Sequence, residues 1–216
     1  MGISRVAIVI PAFNEAKTIK SVIEDVIQFG NPIVVDDGST DNTSERAIEA
    51  GAIAVKHNIN KGYDQALSTG FLKAFEIGAQ IVITFDADGQ HDSKMIPQYL
   101  KYIDEGYDLI CGNRQTKQRL GETIFGLFTY FLYGIKDPLC GMKGYKISLY
   151  QQLGHFDSYN SVGTELALFA IKNKFKYKEL DLYTSLRLDR PRFIDMFGGN
   201  YKIFRSLILS LIYIKK

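Results

Sequence analysis

The residues best suited to chemistry are two carboxylates, Asp86 and Asp88, which come directly after the apolar run 81–85. Residues i and i+2 of an extended chain project to the same side, so these carboxylates are expected to converge. A hard divalent cation prefers such oxygen ligands and keeps positions open for phosphate. The pattern predicts a metal site that binds a nucleotide diphosphate. The alternative is an ordinary turn that caps the next helix, because Asp and Gly are common turn residues.

Apolar runs that alternate with amphipathic stretches are the elements that must position these carboxylates. Strands are predicted at residues 6–10, 33–35, 53–55, 81–85 and 109–111. Helices are predicted at 17–29, 41–50, 63–77 and 95–105, where apolar residues recur at intervals of three and four. This alternation indicates an α/β fold with a mostly parallel sheet covered on both faces. Such sheets bind ligands beyond the carboxyl ends of their strands.

Polar clusters follow the first, second and fourth predicted strands and are expected to share one edge of the sheet. They are Pro-Ala-Phe-Asn-Glu at 11–15, Asp-Asp-Gly-Ser-Thr-Asp at 36–41 and Asp-Ala-Asp-Gly-Gln-His at 86–91, with a Gly-bearing segment at 58–70 between the last two. In this order the clusters resemble the motifs of family 2 glycosyltransferases of the GT-A (Rossmann-like) fold. Within that family the chain looks most like the polyprenyl-phosphate glycosyltransferases.

The resemblance implies an inverting transferase that moves a hexose from a UDP- or GDP-sugar to a polyprenyl phosphate. A bound Mg²⁺ or Mn²⁺ would neutralise the charge that grows on the departing diphosphate. The implied metal ligands are Asp86, Asp88 and Gln90. The implied contacts to the donor come from Pro11, Glu15, Asp36, Asp37, Asp86, Gln90 and Arg114. Two adjacent acids after an apolar strand are costly unless a ligand or hydrogen-bond donors meet them.

The second half of the chain is expected to bind the acceptor. Asp137 lies in Asp-Pro-Leu-Cys-Gly-Met-Lys, which resembles the Asp-x-x-Ser-Gly loop of the polyprenyl-phosphate enzymes and would organise the acceptor. Glu165 would act as a general base if the acceptor is a hydroxyl. A phosphate acceptor is already ionised and needs cations instead. Candidate cations are Lys143, Arg187, Arg190 and Arg192. The implied catalytic residues are Asp88, Asp137, Glu165, Arg187 and Arg190.

Most of these residues also have ordinary structural explanations. Asp137 precedes a proline and suits a turn, while Glu165 suits the start of a helix because of the helix dipole. Arg114 is of a type that is usually exposed, and the arginine-bearing segment 187–192 is also typical of a solvated loop. Residues 39–41 are also expected to cap the following helix, in addition to being part of the motif.

Composition narrows the class of protein. The chain has 216 residues, a net charge of +2 and no basic stripe in its first two thirds, which argues against a nucleic-acid partner. Cys111 and Cys140 are expected to be reduced, buried thiols, because they lack companions at metal-ligand spacing. The N-terminal residues do not show the pattern of a signal peptide, so a cytoplasmic location is expected. No apolar run reaches the roughly 18 residues of a membrane span.

The end of the chain suggests peripheral membrane contact. Residues 201–214, followed by two lysines, are too short to span a bilayer but suit a helix lying in its interface. The aromatic block 125–133 invites the same interpretation, and for both the alternative is packing against protein. We therefore expect a GT-A domain at 1–195, with a donor half at 1–114 and an acceptor half at 115–195. A tail at 196–216 would lie at the inner face of the membrane.

Two other functions compete with lipid glycosylation. The nearest is a family 2 transferase that uses a saccharide hydroxyl in surface-polysaccharide synthesis. A more distant one is a non-catalytic protein that binds nucleotide sugars. A nucleotidyltransferase is less expected, because no Gly-rich, Arg- or Lys-bearing loop follows the first strand to bind a triphosphate.

Overall fold

The structure, a computed structural model, describes residues 5–115, 120–182 and 196–213. Its strands are β1 Val6–Ala12, β2 Asn31–Asp36, β3 Ile53–Lys56, β4 Ile81–Thr84, β5 Leu109–Arg114, β6 Lys143–Lys146 and β7 Tyr177–Leu182. Its helices are α1 Ile19–Val26, α2 Thr43–Glu49, α3 Tyr63–Glu76, α4 Ile96–Asp104, α5 Leu120–Tyr133, α6 Ile147–Leu153, α7 Glu165–Lys172 and α8 Met196–Tyr213. A short 3₁₀ turn at Ser93–Met95 precedes α4.

The strands form one sheet in the order β3-β2-β1-β4-β6-β5-β7. All pairings are parallel except those of β6, which runs against both β4 and β5. The predicted mostly parallel α/β sheet is therefore confirmed, with one reversed strand in its middle. The sequence did not reveal β6 or β7, because Lys-Gly-Tyr-Lys and Tyr-Lys-Glu-Leu-Asp-Leu are not apolar runs.

Helices cover both faces of the sheet, as the fully apolar strands require. In β1, Ile8 and Ile10 contribute to the core on one face, whereas Ala7 and Val9 contribute to the core on the other. Helix α3 approaches the second face closely at Gly70, where an added Cβ would lie 2.2 Å from Cγ1 of Val9. These contacts hold the helix start at Tyr63 beside the sheet edge.

Helix α8 is packed against the fold through one face. Ile203 and Leu207 form a small core with Phe125 of α5, and Leu139 packs against that cluster. The Ser206 hydroxyl also donates a hydrogen bond to the carbonyl of Ser161 at 2.7 Å. The C-terminal helix is therefore docked on α5 and on the loop before α7.

The opposite faces of α5 and α8 carry large exposed apolar side chains. On α5 these are Leu127, Phe128, Tyr130, Phe131 and Leu132. On α8 they are Tyr201, Phe204, Ile208, Leu211, Ile212 and Tyr213. We call this surface the α5–α8 apolar face. In the described parts of the chain, no helix is both long and apolar enough to cross a bilayer.

Candidate active site

Loops from four strands meet at one edge of the sheet. The register pairs the end of β1 with the end of β2, at Ala12 and Asp36, and places β4 beside β1 in the same direction. Because β6 is reversed, its first residue, Lys143, pairs with Thr84 at the end of β4. The loop that precedes β6 therefore arrives at the same edge as the loops that follow β1, β2 and β4.

Asp86 lies at the centre of this edge, and its side chain is 29% exposed. Its Oδ2 atom is 2.9 Å from Nε2 of His91, and its Oδ1 atom is 3.5 Å from the Tyr63 hydroxyl. Burial acts to raise the pKa of the Asp86 carboxyl, but the hydrogen bond and charge of His91, with the charges of Arg114 and Lys143, lower it overall. Asp86 is therefore an anion with a fixed orientation.

Asp88 and Gln90 stand on the same short loop and are both partly exposed. The Gln90 backbone N–H donates to Oδ1 of Asp88 at 3.0 Å, which closes the turn around Gly89. The expected turn geometry is present, and the convergence of Asp86 and Asp88 on one metal ion stays a prediction. With Asp86, the loop offers two carboxylates and one carboxamide, all of them oxygen donors.

This donor set fits Mg²⁺ or Mn²⁺, which take oxygen ligands and accept several from water or phosphate. Among the described residues, no group of three His, Cys, Asp or Glu side chains is arranged as a ready-made metal site. A metal ion bound by this loop would take its remaining oxygen ligands from water or from a bound ligand. A nucleoside diphosphate is a ligand of that kind.

Asp36 supports the loop that follows β2. Its side chain is fully buried and accepts hydrogen bonds from the Ser39 backbone N–H at 2.8 Å and from the Ser44 hydroxyl. Nζ of Lys56 lies 3.8 Å from the same carboxylate. In this conformation Asp36 meets protein donors, and its predicted contact with the donor nucleotide stays a prediction.

Asp37 binds the segment that leads into α3. Its Oδ1 atom is 2.7 Å from Nδ1 of His57 and accepts the Lys61 backbone N–H at 2.9 Å. Its Oδ2 atom accepts the Gly62 backbone N–H at 2.7 Å. The His57 ring also lies 2.9 Å from the Thr69 hydroxyl. Asp37 therefore sets the position of the start of α3, and a role in nucleotide binding stays a prediction.

The loop after β1 is tied to the loop after β2. The Asn14 side chain accepts a hydrogen bond from the Thr40 backbone N–H at 2.9 Å, and its backbone is in the left-handed region with φ of 54°. Glu15 is buried and accepts the Thr18 hydroxyl at 2.7 Å, while Pro11 is still part of β1. The two loops form one wall of the edge, beside which a nucleotide is predicted to bind.

Arg114 and Asp137 form a buried ion pair, which joins the end of β5 to the loop before β6. Arg114 donates to the Asp137 carboxylate from its backbone N–H, Nε and Nη2 at 3.1, 2.8 and 3.0 Å. Glu122 of α5 lies 3.3 Å from the same guanidinium. Arg114 was expected to contact the donor and Asp137 to organise the acceptor, and in the structure these two residues are paired with each other. Their direct contacts with substrate stay predictions.

Lys143 is a buried cation at the start of β6. Its ammonium donates to the carbonyls of Cys140 at 2.6 Å and Gly163 at 3.2 Å, so it joins the loop before β6 to the loop before α7. Burial lowers the pKa of Lys143, against the opposing effect of nearby anionic groups such as Asp137 and Asp86. Lys143 therefore supports the loop that precedes β6.

Glu165 opens α7 and holds the loop before it. Its carboxylate is buried and accepts hydrogen bonds from the Ser158 hydroxyl at 2.8 Å and from the Ser158 backbone N–H, and it lies 3.0 Å from Nε2 of His155. This geometry matches the structural explanation of a helix-initiating glutamate. The alternative role as a general base stays a prediction.

Arg187, Arg190 and Arg192 lie outside the described residues. A role for these arginines at the donor or acceptor therefore remains an expectation.

Two of the contact residues at Asp86 had no role assigned from the sequence. His91 was part of the quoted motif, and its position five residues after Asp86 on a tight turn is the signal that could have identified it. Tyr63 contacts Asp86 from the start of α3, and nothing local in the sequence connects the two. Cys111 and Cys140 are buried free thiols, as expected.

Several known proteins are similar to this chain in sequence or structure. The family described as glycosyl transferase family 2 matches residues 7–163. An uncharacterized protein of Methanocaldococcus jannaschii is 33% identical, over 95% of this chain and 92% of that protein. A UDP-N-acetylglucosamine–dolichyl-phosphate N-acetylglucosaminyltransferase of Methanococcus voltae is 30% identical, over 94% of each chain.

One of the similar solved structures is glucosyl-3-phosphoglycerate synthase from Mycobacterium tuberculosis in complex with Mn²⁺, UDP-glucose and phosphoglyceric acid. It superposes with a TM-score of 0.75 at 21% identity and covers 97% of this chain and 80% of that chain. At this identity the likeness concerns the fold, and it agrees with the layered sheet described above.

Proposed function

The chain belongs to glycosyl transferase family 2 and is a glycosyltransferase, and from that premise we propose that it moves a hexose from a UDP- or GDP-sugar to a polyprenyl phosphate, with inversion. The observation that carries the proposal is the meeting of two loops at one sheet edge. The oxygen-donor loop at Asp86–Gln90 faces the loop that contains Asp137 and leads into β6. The first would bind the sugar nucleotide, and the second would bind the acceptor.

The chain's own residues supply binding and orientation in this proposal. Asp86, Asp88 and Gln90 would hold a Mg²⁺ or Mn²⁺ ion, which supplies the positive charge that stabilises a departing diphosphate. The wall of residues 11–15 and 36–41 would bind the base and ribose. The buried Arg114–Asp137 pair fixes the loop at 134–142, which we call the acceptor loop, relative to β5. The M. voltae enzyme, which is 30% identical over 94% of both chains, supports the choice of a polyprenyl phosphate acceptor.

One further observation favours a phosphate over a saccharide hydroxyl. A hydroxyl acceptor needs a general base, and Glu165 was the candidate for that role. Its carboxylate is buried and bound to Ser158 and His155, which leaves it engaged in support of a loop. A phosphate acceptor is ionised near neutral pH and needs no such base.

The α5–α8 apolar face suits contact with a membrane that carries a lipid acceptor. Phe131 is 78% exposed, Ile208 is 59% exposed, and both lie on helices that pack together next to the acceptor loop through Leu139. Exposed apolar patches of this kind on a helix pair indicate an interaction site. We place the protein at the cytoplasmic face of the membrane, bound peripherally.

Transfer from radiolabelled UDP- and GDP-hexoses would test the proposal. The purified protein is incubated with Mn²⁺, vesicles that contain polyprenyl phosphate, and a parallel sample of soluble glycan. We expect label in the organic phase after solvent extraction, and none with Asp88→Ala. Label that stays with the glycan would instead support polysaccharide synthesis. Donor binding with no transfer to either acceptor would support a nucleotide-sugar-binding protein.

Vesicle flotation would test the membrane contact separately. Phe131→Asp and Ile208→Asp should release the protein from vesicles containing anionic lipids. Ile48→Asp is the matched control, because Ile48 is 61% exposed and lies on α2, which packs mainly against α1, β2 and β3. Equal flotation of all three variants and the unaltered protein would contradict a role for this face.

A further inference from the structure

The Asp86 carboxylate is held on two sides by residues that the proposed function leaves without a role. We propose that His91 and Gly141 are positioning residues for Asp86, and that through Gly141 the acceptor loop sets the geometry of the metal site. The proposal rests on the metal-binding role of Asp86 in the proposed function. It means that a movement of the acceptor loop would change the position of Asp86 in the proposed metal site.

Gly141 occupies a position where any side chain would collide with Asp86. A Cβ built on Gly141 would lie 2.1 Å from Oδ2 of Asp86 and 2.7 Å from its Cγ and Oδ1 atoms. Gly141 does not have a positive φ, so alanine could adopt its backbone conformation. What disfavours a side chain at this position is the steric clash with Asp86. The carboxylate of Asp86 therefore packs directly against the backbone of the acceptor loop.

Gly141 is itself fixed to β4, the strand that leads to Asp86. Its carbonyl accepts the Thr84 hydroxyl at 2.6 Å, and the same hydroxyl accepts the Lys143 backbone N–H at 3.0 Å. Thr84 is buried and lies two residues before Asp86. Asp86 therefore packs against a part of the acceptor loop that is hydrogen-bonded to β4. A displacement of this loop would move the surface against which the carboxylate packs.

His91 holds the same oxygen from the other direction. Its ring is 4% exposed, packs edge-on against Phe85 and places Nε2 at 2.9 Å from Oδ2 of Asp86. Its Nδ1 atom is buried without a hydrogen-bond partner in the described structure. A buried imidazole that leaves one nitrogen unpaired is unfavourable by itself. Its evident contribution is to orient the carboxylate, as partners of metal ligands do.

The His91 contact is to Oδ2, which is also the atom closest to the Cβ position of Gly141, whereas Oδ1 is 3.5 Å from the Tyr63 hydroxyl. We therefore expect Oδ1 to be the oxygen that Asp86 presents to a ligand. Asp86 would then offer one oxygen in a fixed direction, and Asp88 would complete the carboxylate pair. A methyl group at Gly141 should turn Asp86 away from that direction. Loss of the His91 hydrogen bond should leave the carboxylate free to rotate.

Binding of Mn²⁺ in the presence of UDP or GDP, measured by calorimetry, tests this inference without any catalytic readout. We expect Gly141→Ala and His91→Phe to raise the apparent Kd for Mn²⁺ about 10- to 100-fold, the range typical of lost metal-ligand support. His91→Gln, whose amide nitrogen reaches a similar place, should recover much of the affinity.

Gly30→Ala is the matched control. Its Cβ would lie 2.7 Å from the carbonyl oxygen of Val6 and 2.9 Å from Cγ1 of Val6, so it adds a clash at the opposite end of β1, away from Asp86 and from the acceptor loop. We expect it to lower the melting temperature but to leave the Kd for Mn²⁺ within about twofold. Melting curves for every variant separate instability from weakened metal binding.

The outcomes distinguish this inference from the proposed function. Unchanged Mn²⁺ affinity in folded Gly141→Ala, or in His91→Phe if the glycine variant fails to fold, would overturn the inference alone. The same holds if Gly30→Ala weakens Mn²⁺ binding as much as Gly141→Ala. Absence of nucleotide-dependent Mn²⁺ uptake by the unaltered protein would overturn the proposed function and this inference together.

Discussion

The ion pair between Arg114 and Asp137 should be among the most energetically sensitive contacts of the fold. The Asp137 side chain is 1% exposed and the Arg114 side chain 15% exposed, so both charges are largely removed from water. Breaking such a pair by removing one partner leaves an uncompensated buried charge and costs about 3–5 kcal/mol. We expect Asp137→Ala to lower the free energy of unfolding by about that amount. Arg114→Met should have a similar effect, because it leaves Asp137 and Glu122 without their shared cation.

A double-mutant cycle measured by urea unfolding and circular dichroism would quantify the pair. Replacing both partners, as Arg114→Met with Asp137→Ala, should cost less than the sum of the single changes, by about 1–3 kcal/mol. For a chain of this size, a loss of about 3–5 kcal/mol corresponds to a fall in Tm of roughly 6–20 °C. A loss below about 1 kcal/mol in Asp137→Ala, or strictly additive effects, would refute the assignment of a buried, coupled pair.

Three other predictions follow from individual contacts. Asp88→Ala should abolish Mn²⁺-dependent transfer with little change in Tm, and normal turnover would contradict its metal role. Burial and the charge of Asp157 raise the pKa of Asp64 from 3.8 to about 6, so the folded state binds this proton more tightly and stability should fall as pH rises from about 4 to 6. Asp64→Asn should therefore gain on the order of 3 kcal/mol at pH 7 and little near pH 4, and equal effects at both pH values in urea unfolding would count against this. Gly70→Ala should lose about 1–3 kcal/mol because its methyl would overlap Val9, and a second change, Val9→Ala, should recover part of it in the same assay.

The nucleotide-binding half could be predicted from sequence because its signals are local. Each of the first five strands contains an apolar run, and each motif follows a strand end. The four helices α1 to α4 were found by periodicity, although the first proved shorter than predicted, at Ile19–Val26. Strand β7 was missed because Lys178, Glu179 and Asp181 interrupt its apolar pattern at the sheet edge.

The partners of the site residues could not be predicted, because they come from distant parts of the chain. Asp36 and Asp37 were expected to be costly without a ligand or hydrogen-bond donors, and the structure supplies donors from Ser44, His57 and Gly62. Lys143 looked like an acceptor cation but is buried beneath the loop, a fact that depends on the reversed direction of β6. The residue types in the sequence were enough to predict an acidic, oxygen-rich site at this edge of the sheet. Which of these side chains face a ligand and which support neighbouring loops depends on tertiary contacts.

The reversed direction of β6 has an evolutionary consequence. Since β5 ends and β6 begins at the same edge, the segment between Arg114 and Lys143 leaves the sheet and returns to it at one place. Such an excursion can change in length or composition while the strand register and the nucleotide half stay as they are. We expect relatives to diversify their acceptors mainly by altering this segment, and grafting it between homologues is a direct route to exchanging specificity.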